Sequence, residues 1–164
     1  EHRKTEGLVL DMSVKENITL ASLWRLFRRG LFIRNRDEQQ RANEYIRDLQ
    51  IKTPSGTTAV GTLSGGNQQK VILGKWLLRD LDILIFIAPT QGIDVGAKAE
   101  IYRHLRALAE AGKSIIVVSE DLIEILGISD RIFILYNGAL TQTLRRAETN
   151  EEQLLSAIQG NTHA

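Results

Sequence analysis

The first apolar pattern along the chain runs at helical spacing. Ile18, Leu20, Leu23 and Phe27 share one side of a segment opened by the capping box Ser13-Val14-Lys15-Glu16, so a helix is predicted from Ser13 towards Phe27. A second helix is predicted from an Asp37 cap to about Leu49, with Ala42, Tyr45, Ile46 and Leu49 on one side. Lys52 to Thr62 is rich in Thr, Ser, Gly and Pro and reads as loop. Ser64-Gly65-Gly66 then opens a helix from Asn67 to about Arg79.

Beyond residue 80 the texture changes. Ile83-Leu84-Ile85-Phe86-Ile87 is an unbroken apolar run, as in a parallel strand covered on both faces. Asp94 caps a helix reaching Ala111, with Ala97, Ile101, Leu105 and Leu108 in register, and Gly112 stops it. Ser114 to Ser119 is a second apolar strand, Leu122 to Leu126 a short helix, and Arg131 to Tyr136 a third strand. Asn137-Gly138 is a type I′ hairpin signal that returns Ala139 to Leu144 antiparallel. Thr149 and Glu152 are spaced to cap a last helix. The expected fold is α/β: a mainly helical part over residues 1–80, then a parallel sheet with helices over 81–164. Three core strands and an edge strand make a thin sheet. Missing first strands would leave an edge and apolar faces exposed, which favours dimerisation, swapping or poor solubility.

Composition narrows the class. A net charge of +1 gives no field to draw the chain onto nucleic acid or a membrane. The absence of cysteine excludes disulfides and thiolate metal sites and fits a reducing compartment. No apolar run approaches the roughly 18 residues of a membrane span. The polar start, Glu1-His2-Arg3-Lys4-Thr5-Glu6, is not a secretory signal. It carries no initiating Met, as expected of a piece of a longer chain.

The candidate chemistry centres on Ser64-Gly65-Gly66. Two glycines at a helix start let the backbone approach a ligand, and free N–H groups with the helix dipole favour an anion. A capped turn with nothing bound has the same three residues.

The longer string Leu63-Ser64-Gly65-Gly66-Asn67-Gln68-Gln69-Lys70 resembles the signature motif of ABC ATPases, in the variant of sugar importers. Pro89-Thr90-Gln91-Gly92-Ile93-Asp94-Val95-Gly96-Ala97-Lys98 resembles the segment after the Walker B strand, with the D-loop at Gly92-Ile93-Asp94. The start is similar to the Q-loop region of the second ATPase domain of tandem sugar-importer ATPases, of the ribose, xylose and arabinose kind. Glu1 falls at the Q-loop polar position. Gly127 through Gly138 is similar to the family's closing strand and turn. The resemblance covers essentially the whole chain, as the C-terminal part of that second domain and a partial P-loop NTPase core.

The resemblance implies ATP and Mg²⁺ as cofactors, sandwiched between two domains. Ser64, Gly65, Gly66 and Gln68 would then serve a nucleotide held by a second ATPase domain. Gly92 and Asp94 would lie at the interface, although Asp94 also reads as a plain N-cap. The implied partners are that second domain, membrane permease subunits and, indirectly, a sugar-binding protein, with no nucleic acid. The implied place is the cytoplasmic face of the inner membrane, held peripherally. The Asn-Gln-Gln-Lys variant argues against cassettes of translation or DNA repair.

Three departures limit the chemistry. No G-x-x-x-x-G-K-[ST] string occurs, so there is no phosphate cradle. The family's Walker B Asp and catalytic Glu positions hold Ile87 and Ala88, which can neither hold Mg²⁺ nor deprotonate water. The switch His position holds Glu120, which is either a stand-in base or an acid that starts the next helix. The expectation is a domain that is not catalytic alone. The alternatives are an interaction or regulatory module paired with an intact ATPase subunit, or the product of a decayed gene.

The remaining polar residues carry less. His2, His104 and His163 have no metal-ligand spacing, and no metal site is expected. His104 is expected on the exposed side of its helix, and Glu100, Arg103 and Arg106 as a solvated face. Arg25, Arg28, Arg29, Arg34 and Arg36 form a basic cluster open to RNA, anionic lipid, solvent or a partner. Trp24, Phe27 and Phe32 within it suit minor core or a groove for the permease.

Overall fold

The structure is a computed structural model that describes residues 7–23, 27–28, 32–33 and 35–159, with side chains at all but 27, 28, 32 and 33. Glu1, His2, Trp24, Arg25, Arg29, Arg34 and His163 lie outside the described residues. The chain divides into two compact units, residues 1–84 with 89–115, and residues 85–88 with 116–164.

In the first unit, helix α1 (Val14–Thr19) starts on the predicted capping box. The Ser13 hydroxyl accepts from the Glu16 N–H, and the Glu16 carboxylate accepts from the Ser13 N–H at 2.8 Å. The helix does not run on to Phe27. It tightens into a 3₁₀ turn at Leu20–Ser22, and Phe27–Arg28 (β1) pairs antiparallel with Phe32–Ile33 (β2). At this point the single proton of the Thr19 hydroxyl is shared between the Lys15 carbonyl (3.0 Å) and the buried Glu38 carboxylate (2.9 Å) as alternative acceptors. Helix α2 (Asn35–Asp48) begins two residues before the predicted Asp37 cap. Helix α1 packs on both α2 and α3 (Gly65–Leu77). Val14, Ile18, Ala42, Val60 and Val71 form the fully buried centre.

The segment between α2 and α3 reads as loop, yet its backbone is pinned. Val14 and Lys15 donate to the carbonyls of Thr58 and Gly56 at 2.9 and 2.8 Å, and Val60 and Gly61 donate to Met12 and Leu10 at 3.0 Å. Asn17, fully buried, adds side-chain bonds to the Val9, Met12 and Ser13 carbonyls. These bonds satisfy backbone groups that burial would otherwise strand, and they fix the ground on which α3 stands.

Helix α4 (Val95–Glu110) starts on Asp94 as predicted, the Asp94 carboxylate accepting from the Ala97 N–H at 2.9 Å. Gly112, at φ +88°, ends it in the left-handed region. Strands β3 (Ile83–Ile87) and β4 (Ser114–Val118) form a two-stranded sheet. Ser114 donates to the Asp82 carbonyl and Ala88 to the Val118 carbonyl, both at 2.8 Å, so the two strands advance together and are parallel.

Two expectations for the sheet need correction. The apolar run of β3 is not covered on both faces: Leu84 is buried, but Ile83, Ile85 and Ile87 are each more than half exposed, as no described element lies over them. Among the described residues the third strand shares no ladder with the first two. Strand β5 (Arg131–Tyr136) pairs, among the described residues, with β6 (Ala139–Arg145) alone, antiparallel, through Asn137 and Gly138 at φ +48° and +79°. The I′ turn supplies the pairing partner from adjacent sequence.

Within the second unit, Ile132 and Ile134 of β5 are buried with Leu154 and Ala157 of helix α6 (Glu151–Ile158). Leu122, Ile125 and Leu126 of α5 (Leu122–Ile128) close this core. The α6 cap is Asn150 with Gln153, one residue later than predicted. The hydroxyl of Thr149 is already committed to the Arg145 carbonyl at 2.8 Å, which leaves Asn150 to accept from the Gln153 N–H.

Candidate functional site at the start of helix α3

Ser64 is the N-cap of α3 but does not cap in the usual way. Its hydroxyl takes no bond from the first-turn backbone, while its carbonyl accepts the first intrahelical bond from Gln68 at 2.9 Å. The N–H groups of Gly65, Gly66 and Asn67 precede that bond and have no side-chain cap. The Ser64 hydroxyl accepts instead from the Asn67 side-chain amide at 2.9 Å. The Asn67 oxygen accepts from the Lys52 N–H at 2.8 Å. An exposed serine and uncapped N–H groups at the positive end of a 13-residue helix suit an anion.

The structure brings the second motif beside the first. A Cβ on Gly66 would lie 2.6 Å from the Ala97 Cβ, closer than two carbon atoms can pack. Only glycine allows α3 and the first turn of α4 to approach this closely. Asp94, capping that turn through Ala97, therefore sits next to the start of α3. Gly92, at φ +68°, makes the left-handed turn leading into Asp94.

Gln68 is corrected from a ligand contact to an interior residue. Its side chain is 3% exposed and its amide donates to the Val60 carbonyl at 3.3 Å, pinning α3 to the ordered loop. Its oxygen is buried without a partner among the described residues.

The Glu100 expectation is also corrected. Lys70, almost fully buried on α3, forms an ion pair with Glu100 of α4 and donates to the Gln50 carbonyl at 3.1 Å. The Lys70 bond holds the Glu100 carboxyl below its ordinary pKa. His104, one turn further on, is half-buried rather than exposed. Burial first, and then the Lys70 charge, push its pKa below the ordinary value.

In the second unit, Ala88 takes φ +48° and donates its N–H to the Val118 carbonyl. Glu120 is exposed. Asp121, not Glu120, caps α5, accepting from the Glu124 N–H at 3.1 Å. The acid that is held is Glu124, which the sequence reading passed over. It is buried and accepts from the Ser119 hydroxyl. Among the described residues, no group of three His, Asp or Glu side chains could hold a metal ion. Ile87 and Ala88 offer no side-chain oxygen, so the end of β3 does not fit Mg²⁺.

The chain is similar to curated proteins over nearly all its length. It is 50% identical over 155 residues, 94% of this chain, to a protein of Burkholderia lata named for ribose, galactose and methyl galactoside import and ATP binding. It is 47% identical over 164 residues to a ribose import ATP-binding protein of Oceanobacillus iheyensis. The chain is homologous to part of the ATP-binding proteins of bacterial sugar importers. It spans 30% and 33% of the length of these two relatives. No family model matches it. A dimeric ATP-binding cassette in a post-hydrolysis state with ADP and Pi matches 87% of this chain, with a TM-score of 0.73 and 23% identity, and is itself covered to 60%. A second cassette, in its ADP conformation, matches 91% of this chain at a TM-score of 0.66 and 21% identity, and is covered to 59%. The fold is therefore that of part of an ABC ATPase cassette. Asn67 and Lys70 stand in the signature string, but their bonds to Ser64 and to Glu100 are not read from it. The spacing of Ser64 and Asn67, N-cap to third helical position, is the signal that marks the first.

Proposed function

We propose that the chain acts as the signature-motif part of a sugar-importer ATPase domain, donating Ser64, Gly65 and Gly66 to a nucleotide held by a second ATPase domain. The observation that carries this reading is the uncapped start of α3, exposed at Ser64 and packed against the Asp94 turn. The N–H groups and the Ser64 hydroxyl would donate to the terminal phosphate, where negative charge is greatest. Asp94 and Gly92 would line the same interface. Gln68 would support the motif from inside. In this reading residues 1–80 form the helical, signature-bearing part and 81–164 part of the α/β core.

The names of the relatives support ATP as the ligand and sugar import as the process. Mg²⁺ would be held by the second domain, since Ile87 and Ala88 provide no ligand here. The partners would be that second domain and membrane permease subunits, with a sugar-binding protein acting through them. No described helix is long and apolar enough to cross a membrane, and we place the chain peripherally at the cytoplasmic face through the permease.

The chain would not hydrolyse ATP alone. Loss of a general base costs about 10²–10⁴-fold in rate, and the phosphate cradle is lacking as well. Glu120 is exposed and makes no cap on the helix that follows, so nothing positions it as a stand-in base. Purified chain should release phosphate from Mg-ATP no faster than buffer. Turnover that disappears in Glu120→Gln or Ser64→Ala protein would contradict the silent reading.

A further inference from the structure

We propose that Asn67 is a positioning residue that turns the Ser64 hydroxyl outward as a hydrogen-bond donor; this rests on the trans-nucleotide reading above. A backbone N–H can only donate, so the Lys52 N–H at 2.8 Å fixes the Asn67 oxygen on its side of the amide. The Asn67 NH₂ must then face Ser64, where it donates to the hydroxyl at 2.9 Å. One lone pair of the Ser64 oxygen is thus occupied from within the chain. The hydroxyl proton has no acceptor among the described residues and is left to donate to a group outside. Ser64 makes no side-chain cap on its own helix, so the N–H groups of Gly65 to Asn67 are not taken up by it.

The anchor is stiff because α3 grips one turn twice. Asn67 and Lys70, one helical turn apart, bond to Lys52 and Gln50 on either side of Ile51, which is buried. Lys70 is in turn fixed by Glu100. An amide is required at position 67. A carboxylate would still accept from Lys52 but would also take the Ser64 proton, reversing the direction of that bond.

The test is a double-mutant cycle on association of the chain with a P-loop-bearing ATPase cassette from the cell of origin, loaded with Mg-ATP. Ser64→Ala and Asn67→Ala should each weaken ATP-dependent association by about ten- to a hundredfold, the range for a bond to a charged group. The double variant should be no weaker than Ser64→Ala, because Asn67 acts only through Ser64. Asn67→Asp keeps the Lys52 anchor and suits the first turn of a helix, so it should keep the thermal midpoint of the parent. It should still lose association, both by withdrawing the Ser64 proton and by repelling the phosphate. Losses that add in the Ser64→Ala, Asn67→Ala cycle overturn the inference and leave the trans-nucleotide reading standing. No ATP-dependent association by the unaltered chain overturns both.

Discussion

Glycine 66 shows how one side-chain atom decides the geometry of the site. With 2.6 Å between a built Cβ and Ala97, Gly66→Ala must push the start of α3 away from the Asp94 turn. Overpacking of this kind costs about 1–3 kcal/mol, measurable as an earlier urea midpoint. Ala97→Gly in the same protein should restore most of the loss, which a defect confined to α3 would not allow. His104 gives a pH signature. Its folded pKa lies below the unfolded value of about 6.5, so the unfolded chain binds the extra proton first on acidification. The stability held by neutral His104 is complete above that pH and falls as pH drops towards the folded pKa. Urea midpoints between pH 7.5 and 5.5 should fall more steeply for the parent than for His104→Gln. Parallel curves would remove His104 from the account.

Among the elements, those with local signals were legible and those with long-range causes were not. The Asp94 cap and the Asn137-Gly138 turn formed where expected, because each rests on residues within one turn of the chain. The contact of Thr19 at the end of α1 with Glu38, nineteen residues away, has no trace in the local pattern. The Ser64 motif was readable as a string and as a helix start. The inward turn of Gln68 was not, because its partner is the buried Val60 carbonyl, eight residues back in the loop. The Lys70–Glu100 ion pair and the half-buried place of His104 arise where α3 meets α4, which the pattern within either helix does not report. Sheet coverage was misjudged for another reason: an apolar run reports what a strand needs, not what lies over it. Ile85 and Ile116 are 62% and 48% exposed on paired strands. Each Ile fully covered contributes about 1.5–3 kcal/mol, so this row should drive concentration-dependent self-association. Ile85→Lys with Ile116→Lys should raise the concentration needed by about tenfold or more in sedimentation. An unchanged profile would mean that the row stays open in solution.

For the whole chain, the proposed reading is one half of a shared site. The first unit provides the helix start with its donors and the Asp94 turn, while Ile87 and Ala88 remove the acids that would complete the chemistry within this chain. On the proposed reading, this part of the site would work opposite a second domain that holds the nucleotide. A plain interaction module would bind that partner whatever the nucleotide. The deciding measurement is the affinity of the chain for a P-loop-bearing cassette from the cell of origin, taken with Mg-ATP and again with Mg-ADP. The account expects a complex with Mg-ATP that weakens by about tenfold or more with Mg-ADP, as the terminal phosphate and its charged hydrogen bonds are lost. Equal affinity in the two states would contradict it.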